Sequence, residues 1–337
     1  MNNMKEKHQN NVAIIGSGSW ATALAKLLLN NCSNINWYIR NQNDIDYFKS
    51  HHTNPKYLSS VKFDLSKITF YNTISDCILN ADFVILAIPS AFVHDELLQC
   101  PSDLLNTKII FSAIKGIVPQ HNLIVGDYLN KIHQVPIQQI GVITGPCHAE
   151  EVALEKLSYL TIASQSNQSA ETISKLIHCD YLYTTTSDDI YGTEYSAVLK
   201  NVIAVAGGIC HGLGYGDNFL AVLVSNAIQE IERFVYKVHP ITRDINDSAY
   251  LGDLLVTAYS QFSRNRMFGT MLGKGYGVKQ AQLEMNMIAE GYYAVKCVHE
   301  LNVTYKVNMP ITNAVYNIIY KNQPAKEQML ELSKKLA

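Results

Sequence analysis

Residues 12–29, VAIIGSGSWATALAKLLL, narrow the possible folds more than any other stretch of the chain. VAII is a short apolar run rich in β-branching and reads as a buried strand, while the residues after Ser19 favour a helix. Between them Gly16, Gly18 and Ala21 stand in a G-x-G-x-x-A arrangement. In that context the first glycine permits a tight turn and the second lets the backbone approach a pyrophosphate. The third small residue lets helix and strand pack closely. The start of the helix then presents free N–H groups and a positive dipole end to phosphate. A dinucleotide-binding unit at the head of the chain is therefore expected.

Further strand-like runs follow at 35–39, 82–88, 108–114, 140–144 and 159–164, and intervening segments such as 20–31 and 168–178 are long enough for crossover helices. This alternation predicts a Rossmann-type α/β domain over 11–187 with a mainly parallel sheet covered on both faces. Past Ser187 helical periodicity takes over, so 188–337 is expected to be an all-α domain, with the boundary near TTTSDDIYG, 184–192. Residues 1–10 are polar and expected to be a flexible N-terminus. A length of 337 residues suits two domains of roughly 150 residues each.

Several function classes are disfavoured. The formal net charge of −2 and the lack of a Lys/Arg stripe argue against a nucleic-acid partner. No signal-like or membrane-spanning apolar segment is visible, so a cytoplasmic protein is expected. Seven cysteines without a CxxC spacing suggest reduced thiols, and eleven histidines without an HExxH spacing suggest no metal site.

Two features bear on chemistry. The acidic residue expected about 20 residues after the glycines to bind a ribose 2′-hydroxyl is missing. Arg40 stands at the end of the second strand instead, where a guanidinium could stack on adenine or meet a 2′-phosphate, which leaves both NAD(H) and NADP(H) open. The second feature is YSAVLKNVIAVAGGI, 195–209, apolar on all sides except for Lys200 and Asn201. An unpaired buried charge costs several kcal/mol, on the order of 3–5, so Lys200 needs a partner or a task. Asp253, inside AYLGDLLVTAY, is a second charge in an apolar helix and could supply the partner.

Several stretches in consistent order resemble the NAD(P)-dependent glycerol-3-phosphate dehydrogenases: GSGSWATALA, LAIPS, IKGI, GPCHAEEVA, LKNVIAVAGGI, GLGYGDN, LGDLLVTAYSQFSRNRMFG and IAEGY. The resemblance implies reduction of dihydroxyacetone phosphate to sn-glycerol 3-phosphate, a phospholipid precursor, by a homodimer. It implies cofactor contacts from Gly16, Gly18, Ser19, Trp20, Arg40, Tyr57, Lys115, Ala149, Arg264, Ile288 and Glu290. Substrate contacts would come from Lys115, Gly145, Cys147, Lys200, Asp253, Ser263, Arg264 and Asn265, with Ser-Arg-Asn gripping the phosphate. Lys200 looks like the proton-exchanging residue, with Lys115 and Asp253 as its catalytic partners. The chain departs from the usual pattern at Ile114, at Cys147-His148 and at Ser196.

Overall fold

The computed structural model describes residues 10–260, 262–285 and 289–336. Among the described residues ten strands occur: β1 (Val12–Ile15), β2 (Ile35–Tyr38), β3 (Ile68–Tyr71), β4 (Phe83–Leu86), β5 (Ile109–Ser112), β6 (Ile117–Val118), β7 (Leu123–Ile124), β8 (Ile140–Thr144), β9 (Ser158–Ser164) and β10 (Leu182–Ser187). Eight form one sheet in the order β10-β9-β8-β5-β4-β1-β2-β3, and β6 and β7 pair as a separate hairpin. Every pair in the large sheet is parallel except β8 with β9. The expected mainly parallel α/β architecture is present.

The period of two along a strand explains why these runs are continuously apolar. In β1, Val12 and Ile14 enter the core on one side of the sheet, whereas Ala13 and Ile15 enter the core on the other. With helices on both faces, no position of β1, β4 or β8 is exposed. The edge strands β3 and β10 each have a single neighbour and bury only their first residue fully, the others being half-buried or exposed, so ITFY and LYTTTS lack the continuous aliphatic run of the central strands. The polar stretch 184–192 is accordingly no loop: its first four residues complete β10 and a helix begins at Ile190.

Past Ser187 every regular element among the described residues is helical. The longest of these, Ile190–Gly212, is buried along most of its length. Asp189 caps it by accepting from Gly192 N–H at 2.9 Å. The same carboxylate accepts from Arg243 at 2.7 Å and from the Tyr250 hydroxyl at 2.8 Å, which fixes where the helix starts and hence where Lys200 falls. Farther along, the helix Arg264–Gly273 crosses it at backbone contact. A Cβ on Gly208 would lie 2.1 Å from the Arg266 carbonyl oxygen, and one on Gly269 would lie 2.1 Å from the Val205 carbonyl oxygen. Four glycines, Gly208 and Gly212 against Gly269 and Gly273, thus set the approach that brings Arg264 and Asn265 beside Lys200 and Asn201.

Candidate active site

In an open parallel sheet, ligands gather at the carboxyl ends of the strands where strand order reverses. Here β1 has β2 and β3 on one side and β4 on the other, and the cleft lies at that end. It has a volume of about 400 Å³. Its walls are the residues that follow β1, β4, β5 and β8, closed over by the helical half.

The glycine loop fits a dinucleotide. Gly16 has φ +125°, and a Cβ there would meet the Ala87 carbonyl oxygen at 2.4 Å, whereas a Cβ on Gly18 would meet nothing within 4 Å. The first residue therefore closes the turn and the second leaves the backbone open to a ligand. The helix Ser19–Leu28 starts with no side-chain cap, so its first N–H groups remain available to phosphate. Trp20 also lines the cleft, and its Nε1–H is buried with no hydrogen-bond partner among the described residues.

Across the cleft, Asp253 begins the helix Asp253–Tyr259 directly after a π-helical turn, Ser248–Gly252. Lys200 Nζ lies 2.6 Å from Asp253 Oδ1 and donates to the Thr257 hydroxyl at 2.7 Å. Lys115 Nζ reaches the two oxygens of the same carboxylate at 3.1 and 3.0 Å and donates to the Gly145 carbonyl at 2.8 Å. The partner expected for the buried lysine is present, and it is shared by two cations. Burial lowers the pKa of Lys200 to about 7, against the opposing pull of Asp253 and with help from Lys115. The two ammonium groups hold Asp253 ionised below the usual carboxylate range despite its burial.

The structure brings Gly18, Ser19, Trp20, Tyr57, Lys115, Cys147, Ala149, Lys200, Ser263, Arg264, Asn265 and Glu290 to the cleft wall. Gly16 and Asp253 stand just behind it. Gly145 stands behind it as well, with φ +124°, and its carbonyl meets Lys115 rather than the open cleft. Arg40 lies outside; its side chain is 73% exposed and pairs with Glu96 at 3.1 Å. Ile288 falls outside the described residues.

The Ser-Arg-Asn trio divides its work. Ser263 caps the Arg264 helix, accepting from Arg266 N–H at 3.3 Å. Asn265 uses one end of its amide on Asn201 and the other on Gly291. Arg264 is exposed and forms no hydrogen bond or ion pair among the described residues, so its guanidinium and the adjacent helix terminus are the groups available to a phosphate.

The sequence gives His148 no role and singles out neither Thr257 nor Ser90. His148 lines the cleft, and burial together with Lys200 and Lys115 holds its pKa below that of a free imidazole. Thr257 was findable, since it follows Asp253 by one helical turn and faces the same lysine. Ser90 closes the quoted LAIPS stretch. Cys147 donates its thiol to the Tyr159 carbonyl at 3.1 Å, and burial raises its pKa to about 11, so it is a poor nucleophile at neutral pH. A serine hydroxyl can make the same bond. Cys147→Ser is expected to keep kcat/KM within about threefold, a free-energy change below roughly 1 kcal/mol, as steady-state kinetics would register.

All seven cysteines are free. Among the described residues no group of three or more His, Cys, Asp or Glu could hold a metal ion, and no helix is long and apolar enough to cross a membrane.

Residues 11–170 match the family described as NAD-dependent glycerol-3-phosphate dehydrogenase N-terminus, and residues 189–330 match the corresponding C-terminus. A protein of Staphylococcus carnosus named glycerol-3-phosphate dehydrogenase [NAD(P)+] is 34% identical over 322 residues, covering 94% of this chain and 96% of its own length. A Staphylococcus aureus protein of the same name is 35% identical over 322 residues, covering 95% and 97%. Among solved structures, glycerol-3-phosphate dehydrogenase from Coxiella burnetii superimposes with a TM-score of 0.88 at 27% identity, over 96% of this chain and 98% of that one. D-mandelate dehydrogenase shares the fold alone, with a TM-score of 0.60 at 14% identity over 94% and 99% of the two chains.

Proposed function

Because this chain belongs to the NAD-dependent glycerol-3-phosphate dehydrogenase family, we propose that it reduces dihydroxyacetone phosphate to sn-glycerol 3-phosphate with NADH or NADPH. The single observation that carries the reading is Lys200, an ammonium group buried in a long helix at the cleft, 2.6 Å from an equally buried carboxylate. Bound along the glycine loop, a reduced nicotinamide dinucleotide would supply the hydride for the ketone carbon.

The roles of the side chains follow from their chemistry. Arg264 and the first N–H groups of its helix bind the phosphate dianion and so orient the ketone toward Lys200. As the carbonyl becomes an alkoxide, the Lys200 ammonium stabilises the oxygen and then gives it a proton. Asp253 favours the charged form of Lys200 and Thr257 holds its direction, while Lys115 adds positive charge on the same side. In the reverse direction neutral Lys200 accepts the proton from the alcohol. Ser19, Trp20, Tyr57, Ala149, Ile288, Glu290 and, at the far end of the cofactor, Arg40 belong to the proposed cofactor contacts. Cys147 frames the substrate by backbone, and Gly145, behind it, holds Lys115 in place through its carbonyl. A homodimer in the cytoplasm, supplying a precursor for glycerophospholipids, completes the reading on family likeness.

The test is the absorbance of NADPH and NADH followed with dihydroxyacetone phosphate as the only acceptor. Phosphate-dependent oxidation of either cofactor is expected. Failure with this ketone, together with turnover of a 2-keto acid lacking phosphate, would overturn the proposal in favour of the chemistry named for the D-mandelate neighbour.

A further inference from the structure

Ser90 has no part in the mechanism above, yet it is wholly buried directly behind the cleft wall, next to the lining residue Pro89, and gives both its donors to one group. Its backbone N–H donates to Glu290 Oε1 at 2.9 Å, and its hydroxyl donates to Oε2. Gly116 completes the seat, because a Cβ there would lie 2.5 Å from both Glu290 Oε2 and Ser90 Oγ. Ser90 follows β4 in the nucleotide-binding half, whereas Glu290 opens the helix Glu290–Tyr305 in the other half, 200 residues away in sequence.

From Glu290 the connection continues without a gap. The next N–H, that of Gly291, donates to Asn265 Oδ1 at 2.9 Å. Asn265 Nδ2 donates to Asn201 Oδ1 at 2.9 Å, and Asn201 Nδ2 donates to the Lys115 carbonyl at 2.6 Å. Lys115 precedes Gly116, so the relay returns to its starting point. The direction of every bond is forced: a backbone N–H at one end can only donate and a carbonyl at the other can only accept, so each amide has a single satisfied orientation. Turning either asparagine would set like groups face to face in a buried place, which is costly.

We infer that Ser90 is a positioning residue that couples the cofactor wall to the phosphate subsite through Glu290, Gly291, Asn265 and Asn201. A ligand that settles against Pro89 and Glu290 also settles the start of the Arg264 helix, and each ligand tightens the binding of the other. The inference rests on the reading of the cleft given above. Such coupling is reciprocal and typically amounts to about 5–150-fold in affinity.

The experiment measures the Kd of NADPH by protein fluorescence, alone and with saturating sn-glycerol 3-phosphate, a pair that cannot react together. Wild-type protein is expected to bind NADPH about fivefold or more tightly in the presence of the second ligand. Ser90→Ala is expected to bring the ratio below about twofold, since the hydroxyl that fixes Glu290 is gone. Ser90→Cys, close in size but a weak donor, is expected to do the same and serves if the alanine variant does not fold. A wild-type ratio of one overturns the inference. So does a variant that loses affinity for each ligand separately while keeping the wild-type ratio, which is what a merely structural role would produce. Repeating the titration with inorganic phosphate tests the coupling even if dihydroxyacetone phosphate proves not to be the substrate.

Discussion

Lys200→Ala is expected to lower kcat for ketone reduction by about 10⁴, the product of losing both a positioned acid and a charge that stabilises the alkoxide. The loss should fall on kcat more than on KM, because Arg264 and its helix terminus still hold the phosphate and the interaction removed develops only as the carbonyl is reduced. NADPH should bind with unchanged Kd, since the glycine loop belongs to the turn after β1 and not to the helix that carries Lys200. The variant should also fold, because Asp253 keeps Lys115 at 3.0 Å and is not left as an unpaired buried charge. Steady-state kinetics with fluorescence titration of NADPH decides the matter; turnover within tenfold of wild type would refute the role. A pH signature accompanies the effect. Reduction needs Lys200 protonated, so its rate should fall as pH rises through the apparent pKa near 7, while oxidation of glycerol 3-phosphate should rise through the same range. That midpoint belongs to the Lys200–Asp253–Lys115 cluster as a whole, and its limb should vanish in Lys200→Ala.

Much of this site was legible because the chemistry forces exceptions to local rules. A lysine inside an apolar helix, an aspartate inside another and glycines between a strand and a helix each break a pattern that the neighbouring residues obey, and the break is visible without coordinates. The central strands were legible for the related reason that burial on both faces leaves uninterrupted apolar runs. What could not be read depended on pairing at a distance. The edge strands β3 and β10 pair with one neighbour and stay largely half-buried or exposed, so ITFY and LYTTTS carry β-branched and aromatic residues but not the uninterrupted aliphatic run that marks the central strands. The resemblance implied a phosphate grip from Ser-Arg-Asn but not that Ser263 and Asn265 are engaged in capping and in the relay, leaving the Arg264 side chain without a hydrogen-bond or ion-pair partner among the described residues. Ser90 and Glu290 could not be matched, because no local pattern relates residues 200 positions apart.

The adjacent glycines Gly207 and Gly208 give the sharpest test of what holds the two halves of the substrate site together. Both lie inside the helix Ile190–Gly212, where alanine is intrinsically better than glycine by about 1 kcal/mol, so propensity alone predicts that either substitution stabilises. Their surroundings differ. A Cβ on Gly207 meets only a Leu220 methyl at 3.3 Å, the far end of a side chain that can turn aside. A Cβ on Gly208 meets the Arg266 carbonyl oxygen at 2.1 Å and the Thr270 nitrogen at 2.9 Å, both backbone atoms of a packed helix. Relief there requires the Arg264 helix to move away, at the upper end of roughly 1–3 kcal/mol for overpacking or beyond it. Gly208→Ala is therefore expected to melt about 5 °C or more below wild type, while Gly207→Ala melts at or above it. The displacement carries Arg264 and Asn265 with it but leaves the glycine loop in place. The KM for dihydroxyacetone phosphate should accordingly rise about tenfold, the equivalent of roughly 1.4 kcal/mol in phosphate binding, with the KM for NADPH changing far less. Equal melting temperatures and equal KM values for the two variants would mean that the glycine contact is not what sets the distance between the Lys200 helix and the phosphate subsite.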